Sequence, residues 1–220
     1  MDDLSFWVSK NADFMPNKTA IRFEGQDITY SEFDRQIRIY ARTLKHSFGV
    51  VPGDRVAFLG VNTPSLLYTF FACARLGAIF SPLNWRLTPP EHRFMLQDSG
   101  AKLLISDEEF RANADTIRDD IPDCTLVAND FEDAAWRSLA AELAGSEGDD
   151  SNPDVTPDMP FMLVYTSGTT GRPKGAVLTQ HNMQIHAYNS VHYSQMSMHD
   201  HILTVLPMFH VGGLNIQTVP

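Results

Sequence analysis

Between Tyr165 and Gly175 the chain places three glycines, four serine or threonine hydroxyls and one lysine within eleven positions. An apolar run, Phe161-Met162-Leu163-Val164, leads directly into it. Such a loop suits a phosphate chain. Glycines let the backbone come close, N–H groups and hydroxyls donate to oxygen, and the lysine adds a point charge. The spacing excludes the common nucleotide loops. A Walker loop needs Gly-Lys-Ser/Thr in succession, whereas Lys174 stands between Pro173 and Gly175. A dinucleotide fingerprint needs GxGxxG opening a helix, whereas Gly168, Gly171 and Gly175 run into the strand-like Ala176-Val177-Leu178. A kinase glycine-rich loop carries no such run of hydroxyls.

A second apolar and small-residue segment, Leu206 to Gly213, contains Phe209, His210 and Gly212. Taken alone, His210 reads as a histidine packed beside Phe209, and no general-base role is assigned to it. The other histidines form no metal signature: none of His181, His186, His192, His199 and His201 makes an i, i+4 pair with another. No metal site is expected. Trp85 and Arg86 lie before a helix start, where they could support the fold or line a cleft.

The elements that must position these residues alternate. Thr29 and Glu32 have capping-box spacing ahead of an apolar face at Phe33, Ile37, Ala41 and Leu44. Arg55–Gly60 reads as a strand, and Thr63 with Pro64 opens a helix that Gly77 ends. Ala78–Phe80 is a short strand, Thr88 and Glu91 make a second capping box, and Gly100 closes that helix. Strands follow at Lys102–Ser106 and Thr125–Ala128, then at 161–166, 175–179 and 201–206, with a helix at 180–194. Alternation at this spacing predicts an α/β fold with a mostly parallel sheet and crossover helices. We divide the chain into an α/β portion over 1–144, an acidic flexible linker or loop over 145–160, and a loop-and-pocket portion of the same large domain over 161–220.

The net charge of −10 is concentrated: residues 107–158 hold sixteen acidic and three basic side chains. No basic face is left for nucleic acid. The longest nearly apolar stretch, Leu66–Phe80, is too short to span a bilayer and is interrupted by Arg75. With an N-terminus unlike a signal peptide and two cysteines lacking metal-ligand spacing, a reduced cytoplasmic protein is expected.

Over its whole length, Tyr165–Gly175 resembles the phosphate-binding signature of the adenylate-forming enzymes: acyl- and aryl-CoA synthetases, luciferases and peptide-synthetase adenylation domains. Leu206–Gly213 is similar to the family's next signature, part of its acyl pocket, in the form seen in ligases of fatty or aromatic acids. Thr29–Phe33, Gly53–Ala57 and Pro82–Thr88 resemble its earlier landmarks, in the same order. The resemblance implies that Thr166, Ser167, Gly168, Thr169, Thr170 and Gly171 wrap the β- and γ-phosphates of ATP, with Lys174 adding charge. It implies that Phe209, His210 and Gly212 line the acyl pocket for a fatty or aromatic carboxylic acid, and that ATP, Mg²⁺ and CoA are co-substrates. Family members are more than twice as long, with their catalytic lysine near the C-terminus. The expectation is therefore an N-terminal fragment of an acid–CoA ligase, inactive alone. The alternative is a non-catalytic module that uses the fold to bind a nucleotide or a partner.

Overall fold

A computed structural model describes residues 3–166, 172–216 and 218–220. Helix α1 (Phe6–Phe14) precedes an antiparallel hairpin, β1 (Thr19–Phe23) and β2 (Gln26–Thr29). The chain then alternates through α2 (Tyr30–Arg42), β3 (Arg55–Leu59), α3 (Pro64–Leu76), β4 (Ile79–Pro82), α4 (Pro89–Ser99) and β5 (Leu103–Ser106). It continues with α5 (Arg111–Thr116), β6 (Thr125–Ala128), β7 (Arg137–Ser138), α6 (Leu139–Ala144), β8 (Pro160–Thr166), β9 (Lys174–Thr179), α7 (Gln180–Tyr193) and α8 (Val211–Leu214). The main sheet has the order β7-β6-β5-β3-β4-β8-β9 and is parallel except for β9, which runs antiparallel to β8. The fold is the α/β architecture with a mostly parallel sheet that the alternation predicts.

Each strand face finds its own cover. Val56 and Phe58 of β3 enter one core with α2 and α3, while Ala57 and Leu59 enter a second core with α4 and α5. Leu103 and Ile105 of β5 separate from Leu104 in the same way. This period-two division is what a parallel sheet covered on both sides requires. Helix α3 is buried almost all round because it lies in the thicker of the two layers. There Phe70 meets Phe71, Phe80 and Phe161 at ring-centroid distances of 5.0, 5.5 and 4.7 Å.

Local signals set the helix ends. Thr63 Oγ1 accepts from Leu66 N, and Gly77 closes α3 at φ 73°, a conformation that favours glycine. Glu91 accepts hydrogen bonds from both the N–H and the hydroxyl of Thr88, and Gly100 ends α4 at φ 59°. At Thr29 half of the expected box forms. The hydroxyl accepts from Glu32 N at 3.2 Å, but the Glu32 carboxylate turns to Arg35 and Gln36.

Two segments differ from simple expectation in instructive ways. Residues 201–206 are not a strand: the backbone is irregular, Leu203 is 83% exposed, and Thr204 is tied to Thr218 by hydroxyl contact. Strand propensity is expressed only where a partner edge is available, and among the described residues none pairs here. The acidic stretch 145–159 is irregular too, yet it is tied down. Asp150 accepts from Arg75 at 2.7 Å and lies 3.4 Å from Arg42 and 3.6 Å from Arg38, while Asn152 donates to Leu76 O. No helix among the described residues is long and apolar enough to cross a membrane.

Candidate functional site

The parallel strands β3, β4, β5, β6 and β8 end on one edge of the sheet, and the segments after Leu59, Pro82, Ser106, Ala128 and Thr166 leave from it. Ligands of open α/β sheets collect at this carboxyl edge, where the connections turn away and leave a crevice. The glycine-rich segment emerges there. Its two arms are β8 and β9, in register from Met162↔Leu178 to Thr166↔Lys174 with a shift between Pro160 and Met162, and Thr166 Oγ1 donates to Lys174 O at 3.4 Å. Ser167, Gly168, Thr169, Thr170 and Gly171 lie outside the described residues.

The electrostatics of the described arm are simple. Arg172 and Lys174 are exposed, and neither forms an ion pair among the described residues. The chain has no aspartate or glutamate between Asp158 and Asp200. An anion approaching this edge therefore meets positive charge that no carboxylate among the described residues pairs with. Tyr165 braces the arm from behind: its phenol donates to Asp98 Oδ2 at 2.7 Å and lies 3.2 Å from Met95 O on α4. Burial first, and the bond to Asp98 second, raise the Tyr165 pKa well above the ordinary phenol value. Tyr165 is a neutral strut, not an acid–base group.

The second candidate segment is assembled around Asn62, just past the end of β3. The Asn62 side chain donates to Leu206 O at 2.9 Å and accepts from Met208 N at 2.8 Å. Met208 is buried in the core, which sets the depth of the segment. Phe209 then meets Trp85 edge-on at 5.9 Å, and Trp85 stacks on Phe110. Arg86 lies over Trp85 at 4.2 Å and over Phe209 at 5.6 Å, so its charge is held by aromatic faces. Trp85 and Arg86, ambiguous from sequence, belong to the aromatic cluster beside the second segment.

His210 is exposed and caps α8: Nδ1 accepts from Gly212 N at 3.0 Å. In the neutral ring the proton is then on Nε2, which leaves that nitrogen as a donor. Gly213 is required by space. A Cβ there would come within 2.3 Å of Pro207 O and 2.6 Å of Leu206 O, and backbone cannot yield cheaply. The structure thus brings Phe209, His210 and Gly212 together. Asn62 escaped the sequence reading because its partners are far away in the chain. The one available hint was an asparagine directly before the Thr63–Pro64 helix start.

The AMP-binding enzyme family matches residues 8–220, and the chain belongs to that family. It is 47% identical to an indoleacetate–CoA ligase of Aromatoleum aromaticum over 99% of its length and 43% of that protein's. It is 38% identical to a feruloyl-CoA synthase of an Amycolatopsis species, over 99% of its own length and 41% of the relative's. Among solved structures it superposes on an inhibitor-bound N-terminal domain of FACL13 from Mycobacterium tuberculosis with a TM-score of 0.82 and 30% identity, covering 100% of this chain and 54% of that one. The chain thus spans about two fifths of the length of these two curated relatives.

Proposed function

We propose that this chain provides the phosphate grip and part of the acid pocket of an ATP-dependent, AMP-forming acid–CoA ligase. The observation that carries this reading is Lys174, at the start of the arm paired to β8, and Arg172 just before it, both exposed and without an ion pair among the described residues, at the carboxyl edge of the sheet. In the proposed reaction a carboxylate oxygen attacks the α-phosphorus of ATP and the bond to pyrophosphate breaks. The thiol of CoA then attacks the acyl carbon and AMP leaves. Positioning and charge stabilisation supply most of the catalysis in such transfers. Thr166, Ser167, Gly168, Thr169, Thr170, Gly171 and Lys174 would hold the β- and γ-phosphates, and Phe209, His210 and Gly212 would line the acid pocket.

The substrate is a fatty or aromatic acid. Aromatic acids come first in the test, because relatives named for indoleacetate and feruloyl groups share this region at 47% and 38% identity. Mg²⁺ would enter with the nucleotide. Among the described residues no group of three His, Cys, Asp or Glu side chains is placed to hold a metal ion, so no step is assigned to a protein-bound metal. The activity on this reading is cytoplasmic.

The test is pyrophosphate release by the full-length protein across aryl and fatty acids, followed by CoA-thioester formation. Lys174→Ala is expected to lower kcat/KM by about 100-fold, the scale of losing one charged donor from a reacting site. Release with no acid at all, or an unchanged Lys174→Ala enzyme, would overturn the reading.

A further inference from the structure

We infer that Asn62, backed by the buried carboxylate of Asp107, is a positioning residue for Phe209 and His210 and so governs binding of the acid. The inference rests on the ligase reading above for its effect on substrate, but its geometry stands independently.

Asp107 follows β5 directly and is only 4% exposed. One oxygen accepts from Val61 N at 2.9 Å and the other from Asn129 Nδ2 at 2.7 Å. Asn129 Oδ1 accepts from the Ser65 hydroxyl at 2.6 Å, which leaves the Ser65 oxygen to accept from Tyr40 OH at 3.0 Å. A single chain of hydrogen bonds therefore joins the ends of β3, β5 and β6 to α2 and α3. The carboxylate also sits over Gly60: a Cβ at that glycine would lie 2.3 Å from Asp107 Oδ2. The turn from Gly60 to Asn62 is held against this carboxylate. Networks of this kind, partly buried and connected from end to end, favour one arrangement, because a lost bond leaves a polar group poorly satisfied.

What the turn presents is the Asn62 amide. Its Nδ2 donates to Leu206 O and its Oδ1 accepts from Met208 N, so both ends of the amide bind the same segment of backbone. Residues 201–206 belong to no sheet, so no strand ladder sets the height of this segment. The amide supplies those bonds instead, immediately before Phe209 and His210. Asparagine is specific for this: aspartate lacks the donor, and an apolar residue lacks both.

The experiment uses the full-length protein and two readouts. Hydrogen exchange of Asn62→Ala is expected to accelerate at 208–215 while β3, β4, β5 and β6 keep their protection. In the pyrophosphate assay the KM for the acid is expected to rise about tenfold with the KM for ATP unchanged, and Asn62→Asp, which keeps the acceptor, to fall between. Unaltered exchange at 208–215, or a uniform loss of protection across the core, would overturn the positioning role. So would faster local exchange with no change in the acid KM. If the unsubstituted protein releases no pyrophosphate but the local exchange pattern appears, the ligase reading fails and the clasp on 206–208 stands.

Discussion

Phe70→Ala is expected to lower the unfolding free energy by about 3–5 kcal/mol, the range for removing a large aromatic from a close-packed core. Phe70 has no solvent exposure, and its ring touches Phe71 in its own helix, Phe80 in β4 and Phe161 in β8. The cavity would open at the seam where β4 receives β8, the strand that carries the glycine-rich segment. Neighbours on three separate elements cannot all move inward together, so little of the void can close. Phe70→Leu keeps most of the volume and should cost about 1.5 kcal/mol or less if the site repacks. Urea unfolding of the three proteins measures this. A loss below about 1 kcal/mol for the alanine variant would mean that the packing described around α3 is wrong.

Asp150→Ala should be destabilising by about 3 kcal/mol at neutral pH, because removing one partner leaves buried opposite charge without compensation. The Asp150 and Arg75 side chains are 15% and 12% exposed, and Arg38 and Arg42 add to the positive surplus. Burial works against the charged carboxylate, but the hydrogen bond and charge of Arg75, aided by Arg38 and Arg42, prevail and hold its pKa below the ordinary value. The folded value being the lower one, the stabilisation is complete above the unfolded carboxylate range near about pH 4 and is lost as pH falls through the depressed folded value. Thermal unfolding should therefore show a wild-type advantage that is constant around neutrality and shrinks in acid. An advantage that grows on acidification would contradict the assignment.

Most of the central sheet was legible because its signals are local. A threonine, a proline and a terminal glycine define α3 within fifteen positions, from Thr63 to Gly77, and Thr88 with Glu91 does the same for the start of α4. The β1–β2 hairpin gave no comparable signal. Its two turn residues, Glu24 and Gly25, have φ of 50° and 78°, and a glutamate is not the residue expected where the backbone is left-handed. Residues 201–206 misled in the opposite direction: an apolar, β-branched run looks like a strand, but pairing is decided by a distant edge. The same reason hid Asn62, whose two bonds cross to Leu206 and Met208. The candidate phosphate segment was visible as composition and spacing. Its placement at the carboxyl edge follows only from the strand order.

That order has a kinetic meaning. β4 is joined to β8 through Phe80 and Met162, roughly eighty residues apart, whereas β8 and β9 are neighbours in the chain. Closing so long a segment costs entropy before any contact repays it, while a hairpin forms in microseconds. The β8–β9 ribbon can thus assemble early as a small unit and dock late against β4. On that order, the carboxyl edge is complete only once β8 has docked against β4.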